Sequence, residues 1–261
     1  MKKSIFRTVA LYLLIQLCFI GILGTVNNVD FATIMAYGAS SLVLHIALYL
    51  FLVGFRKEFY NISTDSTLTK INTANRITLL RISALPSIAF LLGNREIVEI
   101  RTILPIMLIL VFLTDSFDGQ IARRRKQITR IGQMLDSISD YSLLAVLSIV
   151  FFANNIVPRW FFYIIFFRLF LQALGMLVFI ILKKPLPLSS TWGGKITIAT
   201  TMVLYVLEVV RLFLPATTAP LFQVLEYVSG ATIFLLSFEK AFLFFVQGKK
   251  LSKPQAAGKA I

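Results

Sequence analysis

Apolar runs of about 20 residues recur along the chain, and this is the length an α-helix needs to cross the hydrocarbon core of a membrane. Eight runs are visible, at residues 8–26, 32–55, 75–93, 102–122, 133–153, 157–182, 196–214 and 219–246. Backbone polar groups in hydrocarbon must be satisfied within their own segment, and these runs are too long for barrel strands. The sequence therefore predicts an all-α polytopic membrane protein with eight spans and only short loops between them.

Composition agrees with this class. Hydrophobic residues make up 57% of the chain, and the mean hydropathy of +0.83 exceeds that of soluble domains. Lys2, Lys3 and Arg7 precede the first run as in a signal peptide, but no suitable cleavage site follows. The first run is therefore expected to remain as a membrane anchor, with the single Cys18 as apolar filler inside it.

Positive charge is distributed unevenly between the two sides of the predicted membrane. Nineteen of the 26 Lys and Arg residues flank the spans on one side, whereas four lie on the other: Arg95, Arg101, Arg159 and Arg211. The positive-inside rule then places both termini in the cytoplasm, and a cytoplasmic membrane is the expected location. Topology accounts for the net charge of +14 without a nucleic-acid partner, and a basic face favours anionic lipid headgroups.

Four segments are expected along the chain. Residues 1–55 are expected to form a transmembrane hairpin. The polar residues 56–74 are expected to form a cytoplasmic connector that is partly an interfacial helix. Residues 75–248 form a core of six helices, and the basic tail 249–261 is expected to be disordered. His45, the one histidine, lies in the hairpin and is interpreted as a hydrogen-bonding residue that packs helices.

A cluster of aspartates carries the strongest chemical signal. Residues 115–140 read D-x2-D-G-x2-A-R-x8-G-x3-D-x3-D, with carboxylates at Asp115, Asp118, Asp136 and Asp140. Spacings of three and four put each pair on one helix face, and the turn between spans four and five lies midway between the pairs. An antiparallel helical pair would therefore hold a square of four carboxylates, in two layers roughly 5 Å apart, just inside the cytoplasmic boundary.

Such a square requires neutralisation, because like charges at this spacing repel. Two Mg²⁺ or Mn²⁺ ions would satisfy the oxygens and hold a pyrophosphate. Gly119 lets a ligand approach the backbone, and Arg123 offers a fork to a phosphate. Two alternatives stay open: aspartates that face a water-filled vestibule or pair with the nearby run of arginines, and a cation-transport site. Transport is disfavoured because the far halves of both spans are almost purely apolar.

The motif from Asp115 to Asp140 resembles the signature of the CDP-alcohol phosphatidyltransferase family at every position. The resemblance implies a six-helix membrane core over 75–248, often homodimeric, that transfers a phosphate-linked group from a CDP-activated donor to an alcohol and releases CMP. It implies metal ligation by all four aspartates, with Asp140 also the base for the acceptor hydroxyl. It further implies that four residues seat the CDP portion: Gly119, Ala122, Arg123 and Gly132.

A second similarity to the family lies at the start of the core. Asn75, Thr78 and Arg81 form N-x2-T-x2-R on one helix face, and family members carry a similar sequence near the nucleotide. The alternatives are that the Asn-Thr pair caps a helix and that Arg81 snorkels to the surface.

The acceptor is suggested by two further cations. Arg168 lies within the sixth span, where charge is expensive, and Lys195 opens the seventh span after a Gly-Gly pair. Phosphatidylglycerophosphate synthases look similar here, which favours CDP-diacylglycerol as donor and glycerol 3-phosphate as acceptor. This chain departs from them in two places. Leu169 stands where they usually have an acidic residue, and the chain reads Gly194-Lys195-Ile196-Thr197 where they tend to have Gly-Lys-x-Lys-Thr. As alternatives, Lys195 is an interface anchor, and Arg168 pairs with one of two glutamates, Glu208 or Glu226.

Other substrates within the same family also stay open from the sequence. The alternative acceptors are serine, an inositol phosphate or another alcohol. The alternative donors are CDP-choline and CDP-ethanolamine, with diacylglycerol as the acceptor.

Overall fold

The computed structural model describes residues 1–62, 64–124, 128–181 and 192–252. This part of the chain folds into helices and short turns, without a strand. The nine α-helices are α1 Lys2–Val26, α2 Phe31–Gly54, α3 Thr73–Ser83, α4 Leu85–Gly93, α5 Val98–Arg124, α6 Arg130–Ala153, α7 Arg159–Ile181, α8 Trp192–Arg211 and α9 Ala219–Ser252. The all-α prediction is confirmed for these residues. The last helix continues four residues into the predicted tail, and 253–261 lie outside the described residues.

Membrane-spanning character is evident in seven helical segments, each long and apolar enough to cross a bilayer within the described ranges. They are Lys2–Val26, Phe31–Gly54, Thr73–Gly93, Val98–Ile121, Arg130–Ala153, Trp192–Arg211 and Ala216–Glu239. Large apolar side chains stay exposed along them, for example Leu14 at 59% and Leu235 at 68%. Surfaces of this kind suit lipid rather than water, so the protein is an integral membrane protein. The count of eight spans remains a prediction.

The third predicted span is not one helix but two. α3 ends at Ser83 and α4 begins at Leu85, with Ala84 between them. Pro86 explains the break because it has no N–H to donate to the carbonyl four residues back and its ring crowds that carbonyl. Thr73–Gly93 therefore crosses as a broken helix, and Arg81 lies in the last turn of α3, just before the break.

The connector is mostly irregular. It contains a single turn of 3₁₀ helix at Arg56–Glu58, and Asn61 forms an isolated antiparallel bridge with Thr129. The backbone N–H of Ile62 also donates to the carbonyl of Ile128, at 2.9 Å. These contacts fasten the connector to the segment that leads into α6.

The hairpin formed by α1 and α2 packs on the helices that follow it. His45 Nε2 lies 2.6 Å from Ser83 Oγ, and His45 Nδ1 lies 2.7 Å from the carbonyl of Ser41. Ser87 Oγ on α4 donates to Gln16 Oε1 on α1. Buried polar groups require such partners in a membrane protein. The prediction that His45 packs helices through hydrogen bonds is confirmed.

The chain divides into two compact units. The first contains residues 1–156 and 206–213, and the second contains residues 157–205 and 214–261. Within the second unit, α7 packs on α9: the rings of Trp160 and Tyr227 stack with centroids 5.0 Å apart and planes 6° from parallel. Gly230 makes room for this contact, since a Cβ there would lie 2.6 Å from the Trp160 ring.

Candidate active site

A buried arginine on α3 faces two carboxylates on α6. One guanidinium nitrogen of Arg81, Nη2, lies 3.5 Å from Asp136 Oδ1 and 3.4 Å from Asp140 Oδ1. The four-residue spacing along α6 explains how both aspartates reach the same nitrogen. Arg81 does not snorkel to the surface as one alternative proposed, because its side chain is fully buried, at 0% exposure.

The two aspartates differ in their contact with solvent. The Asp136 side chain is 55% exposed, whereas that of Asp140 is 17% exposed. Asp136 can therefore meet a ligand from outside, and Asp140 forms the more enclosed part of the site. The guanidinium attracts both carboxylates at close range, and solvent screens this attraction less at the enclosed Asp140 than at the half-exposed Asp136. The arginine that pairs with these aspartates is Arg81 on α3, and not one of the nearby arginines that the sequence offered as the alternative to a metal role.

Ser139 holds the same arginine from another direction. Arg81 Nε donates to Ser139 Oγ at 2.6 Å, and Ser139 is 1% exposed. The serine thus fixes the plane of the guanidinium while Nη2 faces the carboxylates. Sequence reasoning missed Ser139, although it precedes Asp140 directly and lies three residues after Asp136, on the same side of α6.

The start of α6 is tied to α3 through Asn75. Thr129 Oγ1 accepts from the Gly132 N–H at 3.0 Å and so caps α6. Asn75 Nδ2 donates to the same hydroxyl at 3.0 Å. A Cβ at Gly132 would lie 2.6 Å from Asn75 Oδ1 and 2.7 Å from Thr129 Oγ1. Gly132 is therefore needed for the close approach, and Thr129, which the sequence did not single out, joins the two helices.

Asn75 has a structural role beside the predicted nucleotide role. The cap of α3 itself is Asn72, whose side chain accepts from the Asn75 N–H at 2.9 Å. Thr78 lies one turn on from Asn75, and its hydroxyl donates to the carbonyl of Ala74 at 3.2 Å. Both side chains are buried. Asn75, Thr78 and Arg81 therefore form one row along the buried face of α3.

The remaining motif residues lie on α5, which packs against α3. Gly119 is partly exposed. The side chains of four other motif residues lie outside the described part of the structure: Asp115, Asp118, Ala122 and Arg123. The square of four carboxylates thus stays a prediction. The structure shows that a third helix, α3, lies beside this predicted square, because α3 contacts both α5 and α6.

No group of three or more metal-ligating side chains occurs among the residues whose side chains are described. Of the four motif aspartates, only Asp136 and Asp140 are among these residues. Their carboxylate oxygens are the hard donors that Mg²⁺ and Mn²⁺ prefer. The chemistry of this half of the site therefore fits such an ion.

The two predicted acceptor residues belong to the second unit. Arg168 on α7 is buried, at 8% exposure. Lys195 lies exposed in the first turn of α8, and its Nζ is 5.6 Å from the centre of the Trp192 ring, in a cation–π contact. The carboxyl group of Glu239 on α9 packs directly against Gly193. Glu239 is a further polar group at this helix start that sequence reasoning did not single out.

Of the two glutamates considered as partners of Arg168, Glu208 forms an ion pair within its own helix. Its Oε2 lies 3.3 Å from Arg211 Nη1, three residues later. Glu226 on α9 is buried, at 3% exposure.

Comparison with known proteins agrees with the motif. The family model described as CDP-alcohol phosphatidyltransferase matches residues 71–236, which include all the helices that carry the site. Among curated proteins, the chain is 32% identical over 88 residues to a CDP-diacylglycerol--glycerol-3-phosphate 3-phosphatidyltransferase of Rickettsia bellii, covering 34% of this chain and 48% of that protein.

Proteins of the same name in two other bacteria are also similar. The Bacillus subtilis protein is 27% identical over 110 residues, covering 38% of this chain and 57% of that protein. The Aquifex aeolicus protein is 26% identical over 161 residues, covering 61% and 88%. The chain spans about half the length of most curated relatives it matches, with the Aquifex protein the most fully covered of these three.

Proposed function

The chain belongs to the CDP-alcohol phosphatidyltransferase family, and we propose that it transfers a phosphatidyl group from CDP-diacylglycerol to glycerol 3-phosphate and releases CMP. The observation that carries this proposal is the pairing of buried Arg81 with Asp136 and Asp140 inside the family region. The names of the three relatives support the choice of donor and acceptor.

Four aspartates would hold the metal ions of the site: Asp115, Asp118, Asp136 and Asp140. When bound, two Mg²⁺ or Mn²⁺ ions would neutralise these carboxylates and the charge of the donor pyrophosphate. Arg81 keeps the two α6 carboxylates together on one face, and Ser139 keeps Arg81 oriented. The half-exposed Asp136 leaves the site open to an incoming ligand.

Asp140 is the proposed base. Its carboxylate accepts the proton of the acceptor hydroxyl as the hydroxyl oxygen bonds to the phosphorus that carries diacylglycerol. The bond from that phosphorus to the bridging oxygen breaks, and CMP leaves with the electron pair. The enclosed position of Asp140 supports this role because it limits competition from water, and the reaction needs no covalent enzyme intermediate.

The CDP portion is proposed to lie along α3, the end of α5 and the start of α6. Seven residues would contribute: Asn75, Thr78, Arg81, Gly119, Ala122, Arg123 and Gly132. The close approach of Asn75 to Gly132 supports this arrangement, since it brings two of these residues together: a Cβ at position 132 would lie 2.6 Å from Asn75 Oδ1. Arg123 would balance the charge of the departing CMP.

Arg168 and Lys195 are proposed to bind the phosphate of glycerol 3-phosphate. A buried arginine within an apolar helix is expensive and therefore a functional candidate by default. Lys195 offers an exposed ammonium in the first turn of α8, where the N-terminal end of a helix also favours an anion. An acceptor that is itself a phosphate ester suits two cations.

The protein is proposed to reside in the cytoplasmic membrane with its termini and aspartates on the cytoplasmic side, and to form a homodimer. The uneven distribution of Lys and Arg supports this orientation. The homodimer follows from the family resemblance.

An acceptor panel tests the proposal. The purified full-length protein would receive CDP-diacylglycerol with labelled glycerol 3-phosphate, serine or inositol phosphate in parallel. We expect labelled lipid and an equal amount of CMP with glycerol 3-phosphate, both lost when divalent ions are chelated and regained when Mg²⁺ is returned. Labelled lipid with serine or inositol phosphate instead would contradict the acceptor, and transfer in the chelator would contradict the role of the metal.

A further inference from the structure

A cavity of about 470 Å³ opens between the start of α1 and the junction of the connector with α3. Four cationic side chains line it: Lys3 and Arg7 from α1, Lys70 from the connector, and Arg76 from α3. None of the proposed nucleotide or metal residues lines this cavity. It is therefore a separate feature of the first unit, built jointly by the hairpin and the core.

The charges around this cavity are all of one sign. Its lining contains no acidic residue, and within the described residues none of the four cations forms an ion pair. Lys3 and Arg7 are four apart on α1, a spacing at which like charges repel, and no acidic residue precedes them in the first turn. An anion in the cavity would relieve this repulsion.

The cavity is held together by contacts that do not use the cations. Ser4 Oγ on α1 accepts from the Ile71 N–H at 3.1 Å. The hydroxyl of Tyr12 donates to the carbonyl of Arg76 at 3.1 Å. The four cationic side chains stay exposed, whereas the backbone that carries them is fixed. The cavity is thus formed before a ligand arrives.

The position of the cavity along α1 points to a lipid. Two of its cationic residues, Lys3 and Arg7, lie in the first two turns of α1, which is mostly apolar beyond them, and Leu11 in the lining is 54% exposed. Leu14 and Ile15 continue the exposed apolar surface along α1, at 59% and 45%. Cations at the headgroup level beside an exposed apolar strip are what an anionic phospholipid requires. The volume suits a small headgroup.

We propose that this cavity binds the phosphate of an anionic phospholipid headgroup, with the acyl chains along α1. Since the ligand would contact α1, the connector and α3 together, it would fasten the hairpin to the helix that carries Asn75 and Arg81. The ligand chemistry is that of a phosphate group, and a soluble phosphate is the other possible source of it.

Lipid-dependent thermal unfolding tests this proposal on the full-length protein in a neutral detergent. The probes are dioleoyl phosphatidylglycerol, dioleoyl phosphatidylcholine and sodium phosphate, each titrated separately. The cavity variant is Arg7→Gln with Lys70→Gln. The matched control is Arg56→Gln with Lys57→Gln, which removes the same charge from exposed residues that do not line the cavity.

We expect phosphatidylglycerol to raise the unfolding midpoint of the wild type and the control, and phosphatidylcholine to have no such effect. In the cavity variant the apparent affinity for phosphatidylglycerol should fall roughly 30-fold, as expected for two well-placed cations. Equal affinity in all three proteins, or an equal loss in the control, would overturn the proposal. A comparable midpoint rise with sodium phosphate, lost in the cavity variant, would overturn the lipid as occupant.

A second variant keeps the proposal testable if the first cavity variant does not fold. Lys3→Gln with Lys70→Gln leaves Arg7 and Arg76 in place and removes the same amount of charge from the same cavity. It should also bind phosphatidylglycerol more weakly than the wild type does. Binding unchanged from the wild type in this folded variant would also overturn the proposal. The readout is binding alone, so its failure is distinct from failure of the proposed transfer reaction.

Discussion

Ser139 is the residue that orients the buried arginine of the site. Replacing it with alanine removes the acceptor of Arg81 Nε, so a buried charged group loses a hydrogen bond at a cost of about 1–3 kcal/mol. We expect Ser139→Ala to lower the thermal unfolding midpoint in detergent and to lower kcat for phosphatidyl transfer.

Ser148→Ala is the matched control for this change. Ser148 is a buried serine on the same helix, and its Oγ donates to the carbonyl of Leu144 at 2.6 Å. This substitution should lower the midpoint less and leave kcat near the wild-type value. Equal losses of kcat in the two variants would show that Ser139 acts through general packing of α6 rather than through Arg81.

At this scale the spacing of the motif predicted that Asp136 and Asp140 share a face, and both contact Arg81. Ser139 and Thr129 could not be predicted in the same way, because serine and threonine occur at many helix positions without a special role. Their importance comes from a partner more than 50 residues away in sequence, which only the tertiary fold brings close.

At the scale of elements, the junction of α3 and α6 depends on a glycine. In Gly132→Ala the new Cβ would lie 2.6–2.7 Å from the polar atoms of Asn75 and Thr129, so the cap of α6 must shift. We expect a loss of roughly 1–3 kcal/mol, the usual cost of overpacking, measured as a lower unfolding midpoint. Phosphatidyl transfer should fall with it, since α3 and α6 carry the proposed site.

Gly21→Ala provides the comparison. Gly21 lies within α1, and a Cβ there would meet nothing within 4 Å. Because alanine is the better helix former, this variant should gain roughly 0.5–1 kcal/mol. A stable, fully active Gly132→Ala protein would contradict the account of the α3–α6 junction.

The helices themselves follow from the apolar runs, and their bounds agree with the predicted spans to within a few residues at most ends. The break at Ala84 was missed because hydropathy reports length and apolar character, whereas Pro86 acts through the backbone hydrogen bond it cannot make. The bridge between Asn61 and Thr129 was missed for another reason: no periodic pattern marks two isolated polar residues that pair across a loop.

At the scale of the whole molecule, α1 and α2 are joined to α3 and α4 by polar contacts inside apolar helices. His45→Ala would remove the contact between α2 and Ser83, and leave that hydroxyl buried without this partner. We expect a loss of about 1–3 kcal/mol in stability, seen as a lower unfolding midpoint. Protease cleavage of the connector should also become faster, because the hairpin would separate more often from α3.

Ser40→Ala is the control for the histidine variant. Ser40 is an exposed serine on the same helix, and its hydroxyl donates only locally, to the carbonyl of Tyr37 at 2.7 Å. We expect a change within about 0.5 kcal/mol. If His45→Ala and Ser40→Ala behaved alike, the hairpin would not depend on the histidine.

The division of the chain into segments was harder to predict from the sequence than the positions of its helices. The sequence suggested a hairpin at 1–55 and a separate core, and this division remains a prediction. His45 and Gln16 join the hairpin to α3 and α4 through single polar side chains. Because one polar residue barely changes the hydropathy of an apolar helix, composition alone does not predict these contacts.

The proposed role of Asp140 in phosphatidyl transfer is tested by measuring CMP release from the Asp140→Asn protein. Asp65→Asn is the control, since Asp65 is an exposed carboxylate of the connector. With CDP-diacylglycerol and glycerol 3-phosphate, we expect Asp140→Asn to lose roughly 10²–10⁴-fold in kcat while the protein stays folded, and Asp65→Asn to keep wild-type turnover. Wild-type turnover by the folded Asp140→Asn protein would contradict the proposed role.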